Sequence, residues 1–400
     1  MKIVIKKLNF NELIAIISFI VFLVSSLLST SFYYQYFIDF HKYIIVSSVS
    51  LLFIKEFSSK YDFRKLFSIL IIIVILSITI LKSSGINQLL FPISFIYIYY
   101  LKDLSFEKIS KITFIISLTT LIFIILSSKL GIITDYIVSD TIRTRHFLGF
   151  RYALFPSTIM TNITLLFVYF KKNAIKYYQL VLLFFINYWI FNQTNSRLTF
   201  YTSILILIFS LFLKIFPNFS GKIGKLSVFL IPSFIISFFT SFLLSYNYNA
   251  IVEWQFNLNS FLGQRLILGY NSLNRYGFSL FGKRVSWVGN GLDAFGNTQT
   301  DPYSYVDSLY IQILQRYGII VTFLFILLLT VLLYILYQKK EYYLIVIFSI
   351  IAVHGIIDDL VLMLHYNTFW LLLGALINKN YEVNDGDYSF IALKKGSEVL

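Results

Sequence analysis

The 400-residue chain contains no cysteine, which excludes disulfide, thiolate and zinc–thiolate chemistry. Histidine is almost as scarce. His41, His146, His354 and His365 are scattered and make no HExxH or comparable metal pair. Charge is thin as well: 13% of residues are Asp, Glu, Lys or Arg, where a soluble domain carries roughly 25%. Apolar residues take that place, with 58% hydrophobic, 19% aromatic and a mean hydropathy of +0.77. Runs of roughly 18 or more apolar residues complete the pattern of an all-α polytopic membrane protein. Acids are outnumbered, 19 against 33 Lys and Arg, for a net charge of +14. In a membrane chain that excess follows from lysine-rich cytoplasmic loops and gives no reason to expect a nucleic-acid partner.

Lys2, Lys6 and Lys7 precede an apolar run from Leu13 to Ser29 that has no small-x-small cleavage pattern behind it. It reads as an uncleaved first helix with its N-terminus in the cytoplasm. Further runs at about 38–54, 66–81, 89–101, 112–128, 152–170, 177–192, 198–213, 226–246, 318–337, 342–357 and 360–377 predict about 12 transmembrane helices. The second, fourth and last are short or interrupted, which leaves ten or eleven open. With twelve, both termini are cytoplasmic, and residues 378–400 form an inner tail. The chain is then a single transmembrane domain with two notable outer loops, 129–151 and 247–307.

The cations are sorted by type. Lys55, Lys60, Lys65, Lys102, Lys108, Lys111, Lys171, Lys172, Lys176, Lys214, Lys222, Lys225, Lys339 and Lys340 fall in inner loops, and Lys42, Lys82, Lys129 and Lys283 fall outside. Arg143, Arg145, Arg151, Arg197, Arg265, Arg275, Arg284 and Arg316 fall on the outer side or at its boundary, and Arg64 is the inner arginine. Either cation satisfies the positive-inside rule, so topology does not explain the sorting. The guanidinium fork, which binds phosphate or carboxylate through two parallel hydrogen bonds, does distinguish them. An outer anionic ligand is one reading of the group. Pairing with Asp140, Glu253 and Asp301, or snorkelling to headgroups, is the other. No span carries a charge near its middle, as a transporter path would require.

Most of the outer polar chemistry lies in five places. RTRHFLGFR (143–151) packs three arginines and a histidine around Gly149, which lets backbone approach a ligand. TNSR (194–197) is a short turn in which Ser196 suits a helix cap and Arg197 is left over. In the large loop, Leu262, Leu266, Tyr270 and Leu273 recur at helical spacing, predicting a surface helix with Arg265 on its polar side. Asp307 and Ser308 open a helix on which Ser308, Gln312 and Arg316 share a face. His354 and Asp358 are four apart, either a base with its orienter or a polar pair closing a hairpin.

Taken in order, RTRHFLGFR, TNSR, QR (264–265) with LFG (280–282) and GNG (289–291), VDSLYIQILQRYGI (306–319) and HGIIDDLVLMLHYNTFWLLLG (354–374) resemble the capsular-polysaccharide and O-antigen repeat-unit polymerases of the Wzy type. The likeness runs from about residue 140 onward. The related O-antigen ligases rely on a histidine in the large outer loop, and residues 247–307 contain none. The resemblance implies a GT-C-like lipid-linked glycosyltransferase in the bacterial cytoplasmic membrane, active on its outer face. It implies undecaprenyl-pyrophosphate-linked oligosaccharides as donor and acceptor, inverting transfer, no cofactor and no metal, and a flippase and chain-length regulator as partner proteins. The site expectations follow: Arg143, Arg145, Arg151, Arg197, Arg265 and Arg316 for pyrophosphate, Trp254, Tyr270 and Trp287 for stacking on sugars, and Asp358, His354 or Asp307 for the base. A ligase-like glycan transferase and a transporter or flippase of lipid-linked glycans are the rivals.

Overall fold

The computed structural model describes residues 10–56, 62–82, 86–139, 144–217, 219–378, 381 and 383. Its helices, in chain order, are α1 (Phe10–Leu28), α2 (Ile38–Glu56), α3 (Phe63–Lys82), α4 (Ile86–Leu101), α5 (Phe106–Lys129), α6 (Leu154–Lys171), α7 (Tyr177–Thr194), α8 (Arg197–Ile215), α9 (Phe219–Leu226), α10 (Ser233–Tyr246), α11 (Glu253–Phe261), α12 (Arg265–Tyr276), α13 (Leu309–Arg316), α14 (Gly318–Gln338), α15 (Tyr342–His354) and α16 (Gly374–Ile377). Among the described residues the only sheet is a hairpin in the first arginine-rich loop, β1 (Ile137–Ser139) antiparallel to β2 (Thr144–His146), with Val138 opposite Arg145.

Seven helices among the described residues are long and apolar enough to cross a membrane: Phe10–Leu28, Phe63–Leu81, Phe106–Lys129, Leu154–Ala174, Arg197–Ile215, Gly224–Tyr246 and Gly318–Gln338. The chain is a multi-pass membrane protein by that measure. The other expected spans differ for local reasons. α7 is 18 residues long, and Gln179, Asn187, Asn192 and Gln193 dilute its apolar character. α15 stops at His354 after 13 residues. The expected span at 360–377 is not a continuous α-helix. It consists of tight 3-10 turns at Leu360–Leu362 and Thr368–Leu373, followed by the single turn of α16. Trp370 Nε1 and Asn367 Nδ2 both donate to Val361 O, at 2.7 and 3.2 Å, and fold the segment back on itself. Irregular backbone survives at such depth only when enclosed by protein, and here Phe369, Trp370, Leu371 and Leu372 are buried among α4, α5 and α14.

α6 is the most enclosed of the long helices, with 78% of its apolar window buried. Small polar side chains join it to its neighbours. Thr161 meets Ser203 at 3.0 Å, and Thr199 donates to Ser157 at 2.9 Å, both across α6 and α8. Asn187 of α7 donates to Thr164 at 2.9 Å, and Asn162 donates to Thr368 at 3.0 Å. Between apolar helices such contacts, with small residues that let backbones approach, carry the packing. The N-terminal end of α6 begins just after Tyr152, beside the first arginine-rich loop and the large loop.

Candidate functional site

The large polar loop is held in place by two glycines. Gly282 (φ +76°) and Gly318 (φ +91°) lie back to back, and a Cβ on either would strike backbone: Arg316 O for Gly282, Leu280 O and Gly282 N for Gly318. Lys283 N donates to Gln315 O at 2.8 Å and Ile319 N to Ser279 O at 3.0 Å, which seals the contact. The α13–α14 junction therefore breaks at Tyr317–Gly318 and carries the loop with it. A second tight turn, Gly263 and Gln264 at φ +64° and +69°, joins α11 to α12. Asn259 caps α12 from outside, accepting from Leu266 N and Ile267 N at 3.0 and 3.1 Å. Arg265 is consequently the first residue of α12 and points back under the loop.

Between α6, α8, these loops and the turn after α15 lie two adjoining pockets, the two lobes of the site. One, of about 320 Å³, is lined by Trp287, Gly289, Tyr303, Tyr305, Asp307 and Asp359, among others. The other, of about 290 Å³, is lined by Arg145, Arg197, Arg265, Asn195, Tyr201 and Gly263, among others. Tyr152, Leu154, Asn290, Tyr303 and Asp307 border both. One lobe therefore gathers cations, the other carboxyl groups and aromatic rings, and Asp307 stands between them.

Asp307 does not cap α13. Its Oδ2 lies 3.3 Å from Arg265 Nη2 and accepts from Tyr303 Oη at 2.9 Å, and Ser308 Oγ meets Ser241 Oγ at 2.9 Å instead of the helix end. Burial pushes the Asp307 carboxyl up from its ordinary value, and Arg265 and Tyr303 pull it back. Asp359 accepts from Tyr305 Oη and Gln312 Nε2, both at 2.7 Å. Burial, and then the neighbouring Asp307 and Asp358, push its carboxyl up to about 8. Two carboxyl groups thus face one lobe in different electrostatic settings, one beside a guanidinium and one held by neutral donors.

His354 and Asp358 line neither lobe. His354 Nε2 is 3.0 Å from Asp358 Oδ2, His354 Nδ1 is 2.7 Å from Thr202 Oγ1, and Leu360 N donates to Asp358 Oδ1 at 2.7 Å. Both side chains are buried, and the pair ties α15 to α8 and to the turn that carries Asp359.

The expected arginines divide. Arg265 anchors on Ile357 O at 2.7 Å through Nε and offers Nη2 to Asp307. Arg145 donates Nε to Thr194 O at 2.8 Å, over the Tyr152 ring. Arg197 is the first residue of α8, exposed, and Ser196 donates to Ala153 O at 3.1 Å rather than capping that helix. The open N-terminus of α8 therefore borders the cationic lobe. Arg151 is elsewhere: two of its nitrogens donate to Ser29 O and a third to Leu292 O, under Tyr34. Arg316 lies behind the cavity wall, its Cζ 4.5 Å from the Trp287 ring centre and its Nη1 2.7 Å from Gln312 Oε1. Arg143 lies outside the described residues. Gly149 brings the backbone against Ile133 and Ser128 of the protein itself rather than toward a cavity.

Of the expected stacking residues, Trp287 lines the carboxyl lobe, with Nε1 donating to Ser272 Oγ at 2.8 Å. Trp254 is 56% exposed on α11, and Tyr270 packs beside Tyr248; neither borders a lobe. Tyr303, Tyr305, Tyr152 and Asn290 are cavity residues with no role expected from the sequence, and Asp359 stood out there only as the neighbour of Asp358. The signal for two of them was present in YSYVD: in an extended segment, Tyr303 and Tyr305 alternate in step with Asp307 and so share its side. Among the described residues no three His, Asp or Glu side chains are grouped as a metal site. No protein-family model, curated protein or solved structure matches this chain.

Proposed function

We propose that this multi-pass membrane protein is a glycosyltransferase that joins oligosaccharide repeat units carried on undecaprenyl pyrophosphate, on the outer face of the bacterial cytoplasmic membrane. It is read as a polysaccharide polymerase of the Wzy type, with twelve crossings and both termini inside. The observation that carries the reading is the two-lobed cavity, in which Arg145, Arg197 and Arg265 adjoin a carboxyl and aromatic lobe at Asp307.

Glycosyl transfer from a lipid pyrophosphate needs those two halves side by side. The donor's pyrophosphate sits in the cationic lobe, against the arginines and the positive end of α8. Its anomeric carbon then lies at the boundary, near Asp307. The acceptor sugar occupies the other lobe, against Trp287 and Tyr305. Asp307 takes the proton of the acceptor hydroxyl, that oxygen bonds to the anomeric carbon from the face opposite the pyrophosphate, and the bond to the phosphate oxygen breaks. The configuration inverts. The departing pyrophosphate gains negative charge, which fixed guanidinium groups stabilise more in the transition state than in the ground state. A base in this role contributes roughly 10²–10⁴-fold.

The test is reconstitution of the purified protein with the lipid-linked repeat unit. Arg145→Lys and Arg197→Lys keep the charge but lose the fork. Each is expected to abolish polymer and leave single lipid-linked repeats at normal protein level. Full-length polymer from both would remove the pyrophosphate from the cationic lobe.

A further inference from the structure

Arg64, the one arginine within a lysine-marked side of the chain, has no role in the outer cavity. It sits in the first turn of α3 at the mouth of a groove of about 420 Å³ formed by α3, α4, α14 and the C-terminal turns. Phe67, Ile71 and Ile72 of α3 face Leu324, Leu328 and Val331 of α14 across it. Apart from Arg64, the polar side chain in the wall is Ser68, whose hydroxyl is already given to Arg64 O at 2.7 Å. Arg64 itself is exposed and has no ion pair among the described residues.

We propose that this groove binds an anionic phospholipid of the cytoplasmic leaflet, with one acyl chain between α3 and α14 and the headgroup phosphate on Arg64. Three observations carry it, none of them from the outer cavity; the leaflet rests on the lysine-derived orientation. The first is depth. From Arg64 to Ile72 the groove follows α3 for about 12 Å, close to half of a hydrocarbon core of roughly 30 Å. A single leaflet's chain spans that distance with its headgroup at the arginine. The second is access. α3 is the least enclosed of the seven long helices, with 11% of its apolar window buried, so a lipid reaches the groove sideways. The third is charge. A phosphodiester matches the guanidinium fork, and Lys65, next to Arg64 in the chain, adds to the attraction for anionic lipid.

The full-length protein is reconstituted in nanodiscs holding equal phosphatidylglycerol and phosphatidylcholine of matched chains, then extracted into detergent, and the retained lipid is measured by native mass spectrometry. Phosphatidylglycerol is expected to be retained over phosphatidylcholine. Arg64→Gln should lower that preference about fivefold, the effect of one basic residue at an anionic surface. Ile71→Trp, or Leu328→Trp from the other wall, should displace both lipids while the melting temperature stays at the wild-type value. Inorganic phosphate at millimolar concentration should displace neither. An unchanged preference in Arg64→Gln, retention of lipid in both tryptophan variants, or displacement by phosphate alone would each overturn the proposal. So would a preference that vanishes when anionic lipid is confined to the cytoplasmic leaflet of asymmetric vesicles.

Discussion

Asp307 and Asp358 invite a direct contrast. Asp307 borders both lobes and keeps one guanidinium and one phenol as partners. Asp358 spends its oxygens on His354 and on Leu360 N, away from the cavity. Asp307→Asn should therefore cost roughly 10²–10⁴-fold in transfer rate in the proposed reaction. Asp358→Asn should instead destabilise, by about 1–3 kcal/mol, because it leaves buried partners unsatisfied. Initial rates and detergent-melting curves of the two variants separate these outcomes, and a large rate loss confined to Asp358→Asn would reverse the assignment. Asp359 makes a prediction in pH. Its pKa rises from 3.8 unfolded to about 8 folded, so between those values the native state holds more protons than the unfolded chain. Stability from this group is present below pH 4 and is lost as pH rises toward 8, by up to about 1.4 kcal/mol per pH unit. Asp359→Asn removes the titration, and the fall in melting temperature from pH 5 to pH 8 should flatten.

The α13–α14 junction and the loop it carries form one element held by Gly282 and Gly318. Both have positive φ, and both meet backbone that cannot step aside. Gly282→Ala and Gly318→Ala should each lower stability by at least the roughly 1–3 kcal/mol of a strained backbone, measured by melting in detergent. Gly291→Ala, with open space at its Cβ, should be tolerated. The sequence showed this region unevenly. The helical spacing of Leu262, Leu266, Tyr270 and Leu273 announced α12, and the structure has it from Arg265, with Leu266 and Leu273 buried, while Leu262 ends α11 before the Gly263–Gln264 turn. Nothing local announced that Gly282 and Gly318, far apart in the chain, would press together. The contact depends on tertiary packing, and a glycine looks the same in either setting. The hairpin β1–β2 was likewise unannounced, since three-residue strands are too short for alternation to register. The 360–377 segment misled in the other direction. Its apolar run reads as a span, yet Asn367 and Trp370 bind Val361 O and coil it into 3-10 turns.

At the scale of the whole molecule, composition alone conveyed a multi-pass helical protein, because no soluble core needs so little charge. Arg145, Arg197 and Arg265 come from three distant parts of the chain and line one lobe. Arg151 shows the limit of that reasoning. It is an arginine like the others, yet it is consumed by backbone carbonyls, which no sequence pattern reveals. The orientation itself is open to measurement. A reporter fused at residue 280 should report the external side, and reporters at Lys2 and Lys395 the cytoplasm; a cytoplasmic signal at 280 would remove the proposed reaction from its lipid-linked substrate.

The two lobes, about 320 and 290 Å³, have the size of small-molecule sites rather than of a channel for a long glycan. In the proposed reaction such a site grips only the last sugars of a chain, so it has no memory of how many came before. Each round is then a fresh choice between adding and letting go, with fixed odds. Polymer made by this protein alone should show a geometric distribution, band intensities on a gel falling by a constant ratio from each rung to the next. A peaked distribution would mean that some other surface of the protein, or a partner, is counting.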